Sequence, residues 1–382
     1  MAKKPSIIIR DNHHALLAEI RKQGKTTRAE LSRITGWTRP TISSIVDDLI
    51  ELLYISELGL GESKGGKRPV MLSLNGDHAL FGSIDISNGK TMNVIFCNLH
   101  GEVIESDVKP LKNTYDEVLA QVEEVIKKYE EKYDDRIKAY VMPVRGVLSK
   151  DGRNVVTKMR FQINDASLTQ LETISDKSVY LERNAHAATY AEWRLALNMK
   201  HDLLYLSLGE GISTGFVSEG KLIRGTLMGA GEIARMPLLY KDNQYGENLN
   251  TLESIFKEEL IISNLAKMTD GQVNPDQLET FFNKNDQTLN YRNFLIQNIS
   301  ASLFIVFNLL NIPNVVFGGR FKKFGEEFIE LIHKELTKEH DHQIVEYYQK
   351  DFSIQYASCG DEIIALGACQ LLVDKYLNFK FI

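Results

Sequence analysis

The sequence predicts an α/β protein in which an N-terminal winged helix-turn-helix precedes a larger body of two α/β lobes. Three observations support this fold class. Three helical patterns and a glycine-rich hairpin occupy the first 76 residues, a strand–hairpin–helix order occurs twice after residue 77, and positive charge is concentrated near the N-terminus. The predicted domains are therefore a DNA-binding domain of residues 1–76 and a body of residues 77–382, with a cleft near residues 182–235.

The charge distribution favours a nucleic-acid-binding head on an acidic body. Residues 1–75 carry 12 Lys and Arg and 8 Asp and Glu, a balance of +4, whereas the whole chain carries −6, so that −10 remains for the rest. Such an asymmetry is typical of a DNA-binding module fused to a separate domain. Charge alone leaves a chance distribution open, so the motifs must decide.

The remaining composition predicts a cytoplasmic protein without a membrane span. No run of 18 apolar residues and no signal-peptide pattern is present. Cys97, Cys359 and Cys369 lack CxxC spacing, as expected of a chain in a reducing compartment.

Three short helices are predicted at the N-terminus. The first carries apolar residues at helical spacing and stops at Gly24. The second begins with the capping box Thr27–Glu30 and directs Leu31 and Ile34 inward. The third follows Thr38 and has an apolar stripe from residue 42 to residue 50. Three helices with a short glycine-containing turn before the third are typical of a helix-turn-helix.

The third helix presents a small, polar face. Such a face suits the DNA major groove, where hydrogen-bonding groups read base edges; the alternative is a solvated helix face. Two strands, about residues 54–58 and 69–74, then flank a basic, glycine-rich link that predicts a wing, or alternatively a flexible linker. The predicted DNA-contacting residues are Arg28, Thr38, Arg39, Thr41, Ser43 and Ser44 in the helices, and Lys64, Lys67 and Arg68 in the wing.

The body reads as strands and helices in a repeated order. A hairpin over residues 79–106, a helix over 115–133 and a strand within 136–149 come first. A strand then enters a helix at the polar cluster Glu182, Arg183, Asn184 and His186, at the strand end where ligands bind α/β sheets. The glycine-rich turn at residues 209–215, a helical region over 252–310, the strand "NVVFGGRF" and a helix after "GDEIIALGA" complete the chain.

These segments resemble the ROK family (repressors, open reading frames and sugar kinases), in particular its xylose-repressor-like members that carry a winged helix in front. The residues that carry the resemblance are "SIDISNGK", "LERNAHAATYAEW", "LYLSLGEGISTGFVSEGKLIRG", "GAGEIARMPL" and "NVVFGGRF", in the family's order. The resemblance implies a two-lobed sugar-kinase/actin-like ATPase (ribonuclease H-like) body.

Several departures from the family pattern argue against phosphate transfer. Asn184 stands where the kinases have the catalytic Asp, and an amide has no useful basicity near neutral pH. Ser87 and Asn88 replace two glycines of the first phosphate loop. Glu210 adds a negative charge to the second loop, and like charges ~4 Å apart repel by about 4 kcal/mol at an effective dielectric near 20. We therefore expect no catalytic residues, no enzyme activity and no ATP cofactor.

The family's zinc site is also expected to be absent. Arg235 takes the place of its His, and residues 245–256 contain no Cys or His, the residues that supply zinc with N and S donors. The other histidines singled out here, His13, His14 and His100, lack ligand spacing and are expected at the surface.

What remains is a predicted sugar or effector pocket of Arg183, Asn184, His186, Glu232 and Arg235. The resemblance implies that Glu232 accepts hydrogen bonds from sugar hydroxyls, and the Asn184 amide can both donate and accept. The two arginines would orient Glu232 or bind an anionic sugar derivative. Alternatively, both arginines only form salt bridges with Glu182 and Glu232.

The leading hypothesis is a repressor of carbohydrate-utilisation genes that binds operator DNA as a homodimer and responds to a sugar or sugar derivative. A tetramer remains open. One alternative is a ROK-type sugar kinase with a DNA-binding head, in which another residue serves as base. A second alternative is an effector-independent repressor whose body only dimerises.

Overall fold

The computed structural model describes residues 10–62, 68–157, 163–197, 199–209, 211–247, 249–337, 352–360 and 362–378. Two compact units are present. The first comprises residues 1–142, 163–180 and 368–382, and the second comprises residues 143–162 and 181–367. The domain boundary predicted at residue 76 lies inside the first unit and stays a prediction.

The N-terminal segment has the predicted order of three helices and a hairpin. The helices are α1 (Asp11–Gln23), α2 (Arg28–Thr35) and α3 (Arg39–Glu51). The Thr27 hydroxyl accepts a hydrogen bond from the Glu30 N–H at 3.1 Å and so caps α2. Gly36 ends α2 in the left-handed region, at φ 72°. Because these caps are local, the sequence predicts them correctly.

One core assignment in this segment is wrong. Leu31 is fully buried, but Ile34 is 39% exposed. Helix α2 has only eight residues, and Leu31 is its buried side chain.

The predicted wing strands are present as an antiparallel pair, β1 (Ile55–Leu60) and β2 (Val70–Leu74), with an irregular register between Glu57 and Gly59. Residues Lys64 and Lys67 of the link lie outside the described residues.

The first unit contains a five-stranded sheet of strand order β5-β4-β3-β6-β7. The strands β3 (Leu80–Asp85), β4 (Thr91–Asn98) and β5 (Val103–Pro110) form antiparallel neighbours, and β6 (Ile137–Val144) runs parallel to β3. Helices α4 (Tyr115–Tyr133) and α5 (Asp165–Ile174) accompany it, and β7 (Ser178–Arg183) leads directly into α6 (Asn184–Ala191).

The second unit repeats the same strand order, β10-β9-β8-β11-β12. Its strands are β8 (Leu203–Leu208), β9 (Ile212–Ser218), β10 (Lys221–Leu222), β11 (Asn314–Gly319) and β12 (Ser353–Tyr356). Again the first three strands are antiparallel and the fourth runs parallel to the first. This duplication confirms the repeated strand–hairpin–helix order predicted from the sequence.

The region predicted as helical over residues 252–310 contains four separate helices. They are α7 (Leu252–Ile255), α8 (Glu258–Thr269), α9 (Leu278–Phe282) and α10 (Asp286–Leu310). Asn285 forms a capping box that starts α10 afresh, and Asp270 ends α8 in a left-handed conformation. The stretches that separate α8, α9 and α10 are mostly polar and contain Gly271 and Pro275, so caps and turn-forming residues divide the region.

Helix α10 is the one helix in the described part of the chain that is long and apolar enough to cross a membrane by length and composition. Half of its most apolar window is buried inside the protein. There Leu295, Ile299 and Leu303 pack in an apolar core with an aromatic cluster of α9, residues 320–324 and α11 (Glu326–Leu336).

The C-terminal helix α12 (Ile363–Asn378) starts inside the segment "GDEIIALGA" rather than after it, which corrects the predicted start. From residue 368 it belongs to the first unit and packs against the N-terminal helices. Arg21 on α1 forms a buried ion pair with Asp374 and donates to Gln370 Oε1 at 2.6 Å. The Tyr54 and Tyr376 hydroxyls lie 3.1 Å apart.

The expectation that His13 lies at the surface is wrong. His13 is 6% exposed, and its Nε2 lies 3.2 Å from Asp48 on α3. His14 and His100 are half-buried. His13 therefore helps to pack α1 against α3.

Candidate functional site

The candidate site lies where β7 enters α6. Glu182 and Arg183 end the strand, and Asn184 is the first residue of the helix. All the side chains described in the next four paragraphs belong to the second unit. The helix can pack closely on β9 because Gly215 has no side chain; a Cβ there would lie 2.4 Å from the Thr189 hydroxyl.

Glu182 is a buried carboxylate with a cationic partner. Its side chain is 10% exposed, and its Oε2 accepts a hydrogen bond from Arg224, which follows β10. Burial alone would raise the pKa of Glu182, but the charge of Arg224 and the hydrogen bond from His186 lower it to about 2. The carboxylate is therefore ionised at neutral pH, and Arg224 is the main reason.

His186 is fully buried and neutral. Burial lowers its pKa below the ordinary value, against the opposing effect of Glu182. Its Nε2 lies 3.4 Å from the Arg183 guanidinium, which can only donate, so Nε2 is the acceptor. The ring proton is thus assigned to Nδ1, which donates to Glu182 Oε1 at 3.1 Å.

Arg183 directs its guanidinium into the protein. Its side chain is 6% exposed and forms an ion pair with Glu232. Its Nε donates to the Gly146 carbonyl at 3.1 Å, and one terminal nitrogen donates to the carbonyls of Ala230 and Met228 at 2.9 and 3.3 Å. Burial lowers the pKa of Arg183, in opposition to the charges of Glu232 and Glu182.

Glu232 therefore lies between two guanidinium groups. Its second oxygen accepts from Arg235 Nε at 2.8 Å, and that arginine is 65% exposed. The Glu232 side chain is 30% exposed. Each carboxylate oxygen retains lone-pair capacity, so Glu232 can still accept hydrogen bonds from a ligand.

The structure brings the five predicted pocket residues together but gives them different surroundings. Asn184, Glu232 and Arg235 retain exposed surface, whereas Arg183 and His186 are enclosed. Their contact with an effector stays a prediction. Of the two salt bridges considered for the arginines, the one with Glu232 is present for both, while the side-chain cation on Glu182 is Arg224. Arg224 was missed because its partner lies 42 residues away in the sequence.

In the turn between β3 and β4, in the first unit, nearby side chains accept hydrogen bonds from the backbone N–H groups of the turn. The Asn88 Oδ1 accepts hydrogen bonds from the N–H groups of Lys90 and Thr91, both at 2.8 Å. The Ser87 N–H donates to Asp85 Oδ1, also at 2.8 Å. Three N–H groups of this turn are thus already paired and are not open to a phosphate, which adds a second reason to the predicted crowding by the Ser87 and Asn88 side chains.

The turn between β8 and β9 is closed by a hydrogen bond from the Gly209 N–H to the Gly211 carbonyl at 3.0 Å. A Cβ on Gly211 would lie 2.5 Å from the Glu253 carboxylate, so a carboxylate packs directly against this turn. Glu210 lies outside the described residues, and its predicted effect on phosphate binding stays a prediction.

The predicted DNA-contacting face of α3 is exposed at Thr38, Arg39, Thr41 and Ser44, and half-buried at Ser43. The Thr38 and Thr41 hydroxyls lie 2.8 Å apart and pair with each other. Arg68 of the wing is exposed.

Arg28 is engaged inside the N-terminal segment. It forms ion pairs with Asp47 at 2.8 Å and Glu57 at 3.4 Å, and donates to the Ser43 carbonyl at 3.3 Å. The predicted phosphate contact of Arg28 therefore competes with two carboxylates, and it stays a prediction.

Within the described residues, no group of three or more His, Cys, Asp or Glu side chains lies close enough to hold a metal ion. The expected absence of zinc stays a prediction.

The duplicated sheets, with polar residues at the end of β7, define an α/β protein of the sugar-kinase/actin-like class. The chain belongs to the ROK family, whose family model matches residues 81–375. It is 26% identical over 376 residues to a xylose repressor of Caldicellulosiruptor bescii, covering 92% of this chain and 93% of that repressor. It is 24% identical over 380 residues to a xylose repressor of Bacillus subtilis, covering 96% of each.

Solved structures show the same fold. A ROK family transcriptional regulator described as a homolog of the E. coli MLC protein has a TM-score of 0.80 at 19% identity, over 97% of this chain and 98% of that one. A ROK hexokinase from Thermus thermophilus has a TM-score of 0.63 at 19% identity, over 79% of this chain and 99% of the hexokinase. These likenesses confirm the predicted fold class of the body.

Proposed function

We propose that this protein is a transcriptional repressor of carbohydrate-utilisation genes whose DNA binding is controlled by a sugar or sugar derivative. The observation that carries the proposal is the extent of the matches. The Bacillus subtilis xylose repressor aligns with 96% of the chain, whereas the hexokinase, itself covered to 99%, accounts for 79% of it. The part of this chain that the hexokinase does not cover is thus matched in proteins named as repressors.

The N-terminal segment has the properties that operator binding requires. A short helix with an exposed Arg39 and small hydroxyl side chains fits a major groove, and the exposed Arg68 can lie along the phosphate backbone. Asp47 and Glu57 would repel DNA, and the single charge of Arg28, which pairs with both carboxylates, compensates one of the two negative charges. The repressor acts as a homodimer on a near-palindromic operator, and a tetramer stays open.

The body serves as a sensor rather than as a kinase. Asn184 cannot accept a proton from a sugar hydroxyl, and the donors of the β3–β4 turn are occupied by Asn88 and Asp85. Glu232 and Asn184 instead bind hydroxyl groups, and neither zinc nor ATP takes part. Ligand binding changes DNA affinity because the ligand has unequal affinity for two states of the protein.

The test is a DNA-binding titration with the purified full-length protein. Fluorescence anisotropy with DNA from upstream of its own operon, at several salt concentrations, should show specific binding that weakens as salt rises. D-xylose, D-glucose and their phosphates are then added one at a time, and one of them should change the affinity. Absence of salt-sensitive DNA binding would refute the proposal; DNA binding that no sugar alters would favour the effector-independent repressor.

The kinase alternative is tested in parallel with a coupled ADP-release assay over the same sugars. Turnover that disappears in Glu232→Ala would overturn the sensor role. In that variant a repressor without kinase activity loses the response to sugar and keeps DNA binding.

A further inference from the structure

Arg183 has more than a pairing role, because its contacts come from two separate segments of the second unit. It reaches the Gly146 carbonyl in the turn after β6, and in residues 224–232 it reaches the carbonyls of Met228 and Ala230 and the carboxylate of Glu232. A guanidinium carries five N–H donors in a fixed planar fork, so one arginine side chain can hold all of these groups at once.

The loop that Arg183 contacts has backbone features that need support. Met228 lies in the left-handed region at φ 57°, which is unfavourable for a residue with a side chain. The loop closes on itself through a hydrogen bond from the Ala230 N–H to the Arg224 carbonyl at 3.0 Å. The Arg183 guanidinium donates to the carbonyls of both Met228 and Ala230, and so holds the loop in this conformation.

The same guanidinium orients Glu232 without blocking it. Arg183 is enclosed, with 6% of its side chain exposed, so it has almost no surface to offer a ligand. The Glu232 side chain keeps 30% of its surface. A buried charge–charge hydrogen bond fixes the carboxylate plane, while lone pairs remain for an incoming hydroxyl.

Arg235 provides a contrast within the same site. It also donates to Glu232, but it is 65% exposed, and among the described residues this carboxylate is the acceptor of its side-chain hydrogen bond. Exposed pairs of this kind contribute little to structure. A change at Arg235 therefore removes one charge near Glu232 without disturbing the loop, which makes it a matched control.

We propose that Arg183 is the positioning residue of the effector site, holding the Glu232 carboxylate and residues 224–232 in the geometry that receives sugar hydroxyls. This inference rests on the proposed sensor function. It assigns no direct ligand contact to Arg183, in contrast to Glu232 and Asn184.

The first experiment is hydrogen–deuterium exchange on the full-length protein without added sugar. In Arg183→Met, the amides of Met228 and Ala230 should exchange about tenfold faster, because local opening of the loop becomes easier. Arg183→Lys keeps a charge for Glu232 but cannot reach all the carbonyls, so its exchange should be intermediate. Arg235→Gln should leave these amides within about twofold of wild type. Unchanged exchange in Arg183→Met would overturn the proposal.

The second experiment measures sugar affinity by titration calorimetry with D-xylose, D-glucose and their phosphates. Arg183→Met should bind the sugar that wild type binds at least about tenfold more weakly, with partial recovery in Arg183→Lys and with DNA affinity unchanged in the absence of sugar. Equal sugar affinity in wild type and Arg183→Met would overturn the inference alone. If wild type binds none of these sugars and none alters DNA binding, the proposed function fails and the assigned role fails with it.

Discussion

Replacing Arg224 with Met tests the electrostatics of the site most directly, because it removes the main cation on a buried carboxylate. The folded protein lowers the pKa of Glu182 from 4.5 to about 2. This shift measures how much the folded protein stabilises the ionised carboxylate relative to water. At 1.36 kcal/mol per pKa unit this amounts to about 3 kcal/mol. That figure is the net effect of burial, Arg224 and His186. Arg224→Met leaves Glu182 buried without its main cation, so it should lower the free energy of unfolding at pH 7 by about 3–5 kcal/mol, the usual cost of removing one partner of a buried ion pair.

The effect should depend on pH with a defined sign. In wild type the folded pKa of Glu182 lies below its unfolded value, so the stabilisation is complete above pH 4.5 and is lost as the pH falls toward 2. Without Arg224, burial raises the pKa of Glu182, so the carboxylate destabilises the fold at pH 7 and less so in acid. The difference between the two proteins should shrink from pH 7 to pH 4.

The assay uses the tryptophans. The chain has two, and Trp193 is 6% exposed directly after α6. In a Trp37→Phe background, urea unfolding followed by Trp193 fluorescence reports on the second unit. Arg235→Gln in the same background should change the unfolding free energy by less than about 1 kcal/mol. If Arg224→Met unfolds with wild-type stability at pH 7, the assigned stabilising role of the Glu182–Arg224 pair is incorrect.

Three further predictions concern other parts of the molecule. Arg21→Met should lower the stability of the first unit by about 1–3 kcal/mol, measured by Trp37 fluorescence in urea, since Asp374 and Gln370 lose a buried hydrogen-bond donor. The loss stays below that of a bare buried charge because burial raises the pKa of Asp374 to about 8, so that the carboxyl can take up a proton; wild-type stability would contradict this. Gly367→Ala should lower the melting temperature by several degrees, as measured by calorimetry, because its Cβ would lie 1.8 Å from the Ala187 carbonyl oxygen; an unchanged melting temperature would argue against the close approach of these backbones. Arg39→Ala should weaken binding to operator DNA by about 1–3 kcal/mol in anisotropy titrations, whereas equal affinity would exclude a base contact by Arg39.

The sequence predicts best what is decided locally. Thr27 and Gly36 fix the ends of α2 through contacts within three or four residues, and both ends are predicted correctly. The boundaries inside residues 252–310 are missed when the region is treated as one helical unit, although Gly271, Pro275 and the caps at Asp270 and Asn285 mark them locally. Ile34 is misassigned because the helical spacing of apolar residues in α2 does not show how many of them are buried.

The candidate site follows the same rule. Glu182, Asn184 and Glu232 are found from their motifs, whereas the cation that neutralises Glu182 comes from a distant hairpin. This charge pair joins residues 42 positions apart in the sequence, so it depends on the tertiary fold and no local pattern encodes it. The sequence likewise indicates that Asn88 disturbs a phosphate loop but not that its amide oxygen occupies two backbone donors.

The occupied turn between β3 and β4 has a consequence for the signals that the protein can receive. In a phosphate-binding loop, the bound nucleotide supplies the acceptor atoms that order the backbone. Here the Asn88 side chain supplies an acceptor permanently, so the turn is ordered at any ATP concentration. A sensor of the proposed kind would then have this turn in place before any ligand arrives, and its response to carbohydrate would not require a nucleotide to order it.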